Sequence, residues 1–73
     1  MYRRIRELRE DKDLSQKAMG EILHMSQTGY AQYELGNNDI PTRILIALAQ
    51  FHGTSVDYLL NLTDTPTPYP RKR

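Results

Sequence analysis

Apolar positions along the chain recur at helical spacing and are cut into short runs by residues that start or stop helices. Ile5 and Leu8 stand three apart with Leu14 just beyond, and the spacing predicts a first helix over residues 2–12. Asp13-Leu14-Ser15 interrupts it. Ser15 is suited to cap a second helix, because its hydroxyl can accept a bond from an unpaired first-turn N–H. Ala18, Met19, Ile22 and Leu23 form the apolar face of that helix, residues 16–23. His24-Met25 makes a short turn, and Ser26 opens a third helix over 27–35 that Gly36-Asn37-Asn38 stops. After Pro41-Thr42 a fourth runs over 43–52, with Ile44, Leu45, Leu48, Ala49 and Phe51 on one side and Gly53 placed to end it. Ser55 caps a last helix, 56–62, with Asp57 near the positive end of its dipole. Nothing reads as a strand. Beyond it Pro66, Pro68 and Pro70 forbid a helix, so residues 63–73 read as an extended, flexible tail after a single domain of residues 1–62.

The joint between the second and third helices carries most of the information. Two short helices joined by two or three residues must cross steeply, which brings their backbones close. A small residue is needed midway along the first of them, and Gly20 stands there. Glycine in a helix interior costs roughly 1 kcal/mol relative to alanine, so packing is the reason to keep it. His24 falls where the turn needs a residue near positive φ, which histidine tolerates better than most side chains. On the third helix Gln27, Thr28, Ala31, Gln32 and Leu35 share one face, while Tyr30 and Tyr33 lie opposite and make the core contact. Glutamine can bond the N6 and N7 edge of adenine, and a methyl-sized group can touch the thymine methyl. The same polar face is also ordinary on any solvated helix and does not by itself decide the function.

Composition narrows the classes. A chain of 73 residues builds one domain with a net stability of only a few kcal/mol. Without cysteine it has neither disulfides nor thiolate metal sites, in keeping with a reducing compartment. His24 and His52 stand far apart with no ligand pattern between them, so no metal is expected. Ser15, Ser26 and Ser55 are explained as caps, there is no glycine-rich phosphate loop, and no pair of carboxylates suggests acid–base work. The expectation is a protein that is not an enzyme and has no cofactor or small-molecule site. The charged start, Met1 to Arg6, has no signal-peptide pattern, and no apolar run approaches the roughly 20 residues that span a bilayer. A cytoplasmic protein without membrane contact is therefore expected. The net charge of +1 is uninformative, but its distribution is uneven. Arg3, Arg4, Arg6, Arg9, Lys12 and Lys17 crowd the first quarter, offset by Glu7, Glu10, Asp11 and Asp13, and Arg71-Lys72-Arg73 close the chain. The first cluster reads equally as a solvated helix face or as a phosphate-facing one. The last reads as a solubilising tail or a phosphate-binding arm.

Taken in order, Gln16, Gly20, Leu23, the turn at His24, Met25, Ser26, Tyr30, Tyr33, Glu34 and Gly36 resemble the motif of the lambda-repressor/Cro-like helix-turn-helix family, the xenobiotic-response-element class of regulators. Leu14-Ser15-Gln16 opens that motif and Tyr33-Glu34-Leu35-Gly36 closes it. Ile40-Pro41, Leu45, Leu48-Ala49, Gly53 and Ser55-Val56-Asp57-Tyr58-Leu59-Leu60 continue the likeness, which covers residues 3 to 62. It implies an all-α, compact five-helix bundle whose third helix enters the major groove. Gln27, Thr28 and Gln32 would then read bases. Gln16 would bond a phosphate and brace the reading helix, Ser26 would combine capping with a DNA contact, and Lys17, Arg43 and Arg6 would meet phosphates. Arg9 and Glu34 would link the first helix to the end of the reading helix, with Gly20, His24, Tyr30 and Tyr33 in structural roles.

The implied function is sequence-specific binding of double-stranded DNA by a transcriptional regulator. A repressor acting as a homodimer on a pseudo-palindromic operator is the expected form, with Val56, Leu59 and Leu62 at the interface unless Val56 or Leu59 completes the core. The chain departs from the family pattern at three places: His24 replaces the usual turn glycine, Leu35 a polar or basic residue, and Asn37-Asn38-Asp39 a loop that is often basic. Fewer basic residues there imply weaker sequence-independent binding. The competing reading is an antitoxin-type or other interaction module of the same fold, docking a partner toxin or regulator through Leu35, Ile40 or the proline-rich tail.

Overall fold

A computed structural model of the chain describes residues 2–68 and folds them into α1 (Arg3–Asp11), α2 (Gln16–Ile22), α3 (Gln27–Leu35), α4 (Thr42–His52) and α5 (Val56–Leu59), with no strand among the described residues. Three of these helices begin at a serine. Ser15 Oγ accepts from the Ala18 N–H at 3.0 Å, Ser26 Oγ from Gly29 at 3.0 Å and Ser55 Oγ from Tyr58 at 3.1 Å. Each bond satisfies one of the donors that the first turn leaves without an intrahelical partner.

All five helices end the same way. The residue two beyond the last helical one, or one beyond it for α3 and α4, turns left-handed: Asp13 (φ 55°), His24 (59°), Gly36 (77°), Gly53 (67°) and Asn61 (64°). The next N–H then reaches back to a last-turn carbonyl, Leu14 to Arg9, Met25 to Gly20, Asn37 to Gln32, Thr54 to Ala49 and Leu62 to Asp57, at 2.8–3.2 Å. This is the Schellman closure, which only glycine adopts freely and which asparagine, aspartate and histidine tolerate. It corrects the last helix, expected to reach Leu62. Asn61 stops it, so α5 ends at Leu59. The other ends match the sequence expectation or differ from it by one residue, as frayed termini do.

Every helix contributes to one core: Ile5 from α1, Met19 from α2, Tyr30 and Tyr33 from α3, Ile44, Leu48 and Ala49 from α4, and Leu59 from α5, with Leu23 and Ile40 from the connections. α2 packs chiefly on α3 and α4 on α5, while α1 lies against both α3 and α5. Three expectations are corrected here. Leu59, a candidate for the dimer interface, is 1% exposed. It faces the core because α5 lays its short apolar side on α4, and so it is not available to a partner. Ile40, a candidate docking residue, is also in the core. Phe51, expected on the buried side of α4, is instead 39% exposed.

The start of the proline-rich segment does not leave the domain freely. The Arg4 guanidinium stacks 4.0 Å over the Tyr58 ring and donates to the carbonyls of Tyr58 (3.1 Å) and Thr63 (2.5 Å) and to the Asp64 carboxylate (2.8 Å). Thr54 Oγ1 donates to the Pro66 carbonyl at 2.6 Å. The flexible tail expected over 63–73 is thus tied to the body at residues 63, 64 and 66. Arg71, Lys72 and Arg73 lie outside the described residues.

Candidate nucleic-acid interface

The crossing of α2 and α3 is set by contact between backbones. A Cβ added at Gly20 would stand 2.9 Å from the Met25 carbonyl oxygen and 3.2 Å from the carbonyl carbon and oxygen of Ser26. Real side chains do not approach a backbone that closely, so any larger residue would push the turn, and α3 with it, away from α2. His24 turns the chain between them at positive φ. Gly29 adds a second close approach that the helical pattern does not announce: its Cβ would lie 3.1 Å from Ser26 Oγ and 3.2 Å from Met25 Cε.

α3 is held from behind by a buried polar network. Arg9 donates to Glu34 through Nε (2.7 Å, to Oε2) and Nη2 (3.2 Å, to Oε1), and its Nη1 bonds the Leu14 carbonyl at 2.7 Å. Gln16 Nε2 donates to Glu34 Oε1 at 3.1 Å. The Arg9 and Glu34 side chains are 12% and 3% exposed, so this is an enclosed, two-pronged ion pair. Burial pushes the Glu34 carboxyl up, but the hydrogen bonds from Arg9 and Gln16 outweigh it and hold the group below the usual carboxylate range. The same pair raises the Arg9 guanidinium, chiefly through its hydrogen bond to Glu34. Burial, followed by the Glu34 carboxylate, drives the neighbouring Tyr30 phenol far above its ordinary range. The network joins α1, the start of α2 and the last turn of α3, and it fixes the direction of α3.

The opposite face of α3 is open. Gln27 and Thr28 are exposed, Ala31 and Gln32 half-buried, and Leu35 is 60% exposed. Gln32 Oε1 accepts from Asn37 Nδ2 at 2.8 Å. Tyr30 and Tyr33 are in the core beneath. Among the phosphate candidates, Lys17, Ser26 and Arg43 are exposed. Arg6 is exposed too, with Nε 3.3 Å from Glu10 Oε2 one turn along α1. Gln16 is half-buried and has turned its amide donor into the Glu34 network. Arg4, part of the basic run, is occupied by Tyr58, Thr63 and Asp64. Its role is invisible in sequence, because its partners lie more than fifty positions away.

Elsewhere, Val56 is half-buried and Leu62 is 72% exposed. An apolar groove of about 360 Å³ runs between α4 and the start of α5, lined by Ile46, Ala49, Gly53, Val56 and Pro68 among others. Neither ring nitrogen of the partly buried His52 has a hydrogen-bond partner, and burial, then the nearby Lys12 ammonium, lowers its pKa to about 4. No group of histidine, aspartate and glutamate side chains among the described residues is arranged to hold a metal ion. No helix among them is long and apolar enough to cross a membrane.

A helix-turn-helix family profile matches residues 5–59, which takes in the crossing of α2 and α3, the Arg9–Glu34–Gln16 network and the open face of α3. The chain is 36% identical over 69 residues to an uncharacterized HTH-type transcriptional regulator, YobD, of Bacillus subtilis (strain 168), covering 93% of this chain and 62% of the relative. It is 33% identical over 60 residues to YonR, an SPbeta prophage-derived uncharacterized HTH-type transcriptional regulator of the same organism, covering 82% of this chain and 56% of the relative. The chain thus spans about 60% of the length of these relatives. No solved structure gives a significant match.

Proposed function

Because the chain belongs to the helix-turn-helix family of DNA-binding, non-enzymatic regulators, we propose that it represses transcription in the cytoplasm by binding a pseudo-palindromic operator as a homodimer. The observation that carries this reading is the contrast between the two faces of α3. One is locked by the Arg9–Glu34–Gln16 network and two core tyrosines, and the other presents Gln27, Thr28 and Gln32 without a charge to repel phosphate. A rigid helix with an open amide and hydroxyl face suits hydrogen bonding to base edges in the major groove. Lys17, Arg43, Arg6 and the Ser26 hydroxyl are assigned to phosphates on either side. Gln16 contributes by bracing α3. Val56, which lines the apolar groove, and the exposed Leu62 are the interface candidates, since Leu59 lies in the core. Two copies would set two reading helices about 34–36 Å apart, one turn of the duplex.

The test is selection from random duplex DNA at about 100 mM salt, where binding to bare phosphate is weakened. The native chain is run alongside a Gln27→Ala/Gln32→Ala variant. A palindromic consensus that the variant loses is the expected outcome. A consensus with one half-site only removes the dimer, and no enrichment at all removes the operator reading.

A second reading, docking of a protein partner, keeps one specific observation in its favour: Leu35 is a large apolar side chain 60% exposed at the end of α3. On the DNA reading the same side chain meets a thymine methyl. Cross-linking at position 35 to DNA or to protein separates the two.

A further inference from the structure

Asn37 is bound twice to one residue of the proposed reading helix. Its backbone N–H donates to the Gln32 carbonyl at 3.0 Å, closing the left-handed turn at Gly36 (φ 77°). Its side-chain Nδ2 donates to Gln32 Oε1 at 2.8 Å. The first bond is part of the helix terminus and places the Asn37 Cα over the last turn of α3, and the second follows from that placement. A glutamine amide on a free helix face can turn either its oxygen or its nitrogen outward, and so can serve donor and acceptor bases alike. Here the oxygen already holds a donor. In this arrangement Gln32 presents its Nε2 hydrogens.

We propose that Asn37 is a positioning residue for base recognition, which orients the Gln32 amide so that it donates to an acceptor edge of the major groove and discriminates against cytosine. This rests on the reading of α3 as the recognition helix. The chemistry of the bases sets the preference. Guanine offers two acceptors, N7 and O6, adenine offers N7 and thymine offers O4, but cytosine offers only the N4 donor. Guanine is thus best served by two hydrogens on one nitrogen, and cytosine finds no complement unless the amide is turned over. Turning it over alone sets Gln32 Nε2 against Asn37 Nδ2, two donors facing each other, so the Gln32 amide can turn only if the Asn37 amide turns with it. Asn37 also occupies a loop that the family often makes basic. Its amide acts on the specificity of binding, where a basic residue would act on its strength.

The experiment compares base preferences of the native chain with those of Gln32→Ala, Asn37→Ala and Asn37→Asp, each first shown to be helical and cooperative in thermal unfolding. The native chain should exclude cytosine at one position of each half-site. Asn37→Ala should lose about tenfold of that discrimination, the scale of one good base contact, at that position alone. Asn37→Asp supplies an acceptor in place of the donor. It should turn the Gln32 amide over and move the preference at the same position toward cytosine or adenine, whose exocyclic amines donate. A position altered by Gln32→Ala but unchanged in both Asn37 variants overturns the role of Asn37 and leaves the reading helix standing. No position altered by Gln32→Ala removes Gln32 from base reading, and this inference with it.

Discussion

Glu34 occupies the one place on α3 where a charge is both buried and balanced. Removing it leaves the Arg9 guanidinium enclosed without its partner, a change that costs about 3–5 kcal/mol. That is comparable with the whole stability of a domain of this size. Glu34→Ala should accordingly be largely unfolded at 25 °C by circular dichroism, while an Arg9→Met/Glu34→Leu double variant should be more stable than either single change; equal destabilisation in all three would mean the pair is not acting as a pair. Because the Glu34 pKa is held below its ordinary value of 4.5, its contribution is fully present above that pH and is lost as pH falls through the lower, folded value. His52 acts in a higher window. Its pKa is lowered from 6.5 to about 4, so the unfolded chain takes up a proton that the folded one resists, and stability falls as pH drops from 6.5 toward 4. His52→Leu should flatten the dependence of the urea midpoint between those limits, and a parallel slope in the variant would assign the effect to other groups.

At the scale of elements, the angle between α2 and α3 depends on Gly20 more than on any attractive contact. Alanine would gain roughly 1 kcal/mol of helix propensity, yet its Cβ would have to displace the Met25 carbonyl from 2.9 Å. The obstacle is backbone and cannot rotate away. Overpacking of this kind costs about 1–3 kcal/mol, and Gly20→Ala should lower the thermal midpoint and weaken DNA binding together. A variant as stable as the native chain would show that the turn yields easily. The helix ends are partly legible in sequence. Gly36 and Gly53 announce a left-handed residue by their type, and His24 is marked by the length of the turn. Asn61 carries no such mark, because asparagine is also found within helices, and so the apolar spacing overestimates the length of α5.

For the whole molecule, a net charge of only +1 leaves little general attraction to DNA. Binding should depend on a few placed cations. Lys17→Ala should reduce the salt slope of the DNA affinity by about 0.9, the value for one phosphate no longer neutralised, with base preference unchanged; an unaltered slope would remove Lys17 from the interface. Arg4 should behave differently, since its guanidinium is committed to Tyr58, Thr63 and Asp64.

The sequence by itself determined the helical architecture, the serine caps, the close approach of two backbones at Gly20 and the two unlike faces of α3. These follow from local rules: the 3.6-residue period, the capping bond and the steric freedom of glycine act within a few residues of one another. Only the tertiary structure decided which charges are spent inside the fold and which remain for a partner. Arg4 and Arg6 look alike in a charged first helix, yet one pins residues 63 and 64 and the other stays exposed beside Glu10, while the enclosed Arg9–Glu34 pair was expected from the family resemblance alone. It likewise placed Leu59 in the core and Leu62 outside it, and brought the Asn37 amide to Gln32. Those outcomes depend on contacts between residues distant in sequence, or on the path of a particular turn, which no local pattern encodes.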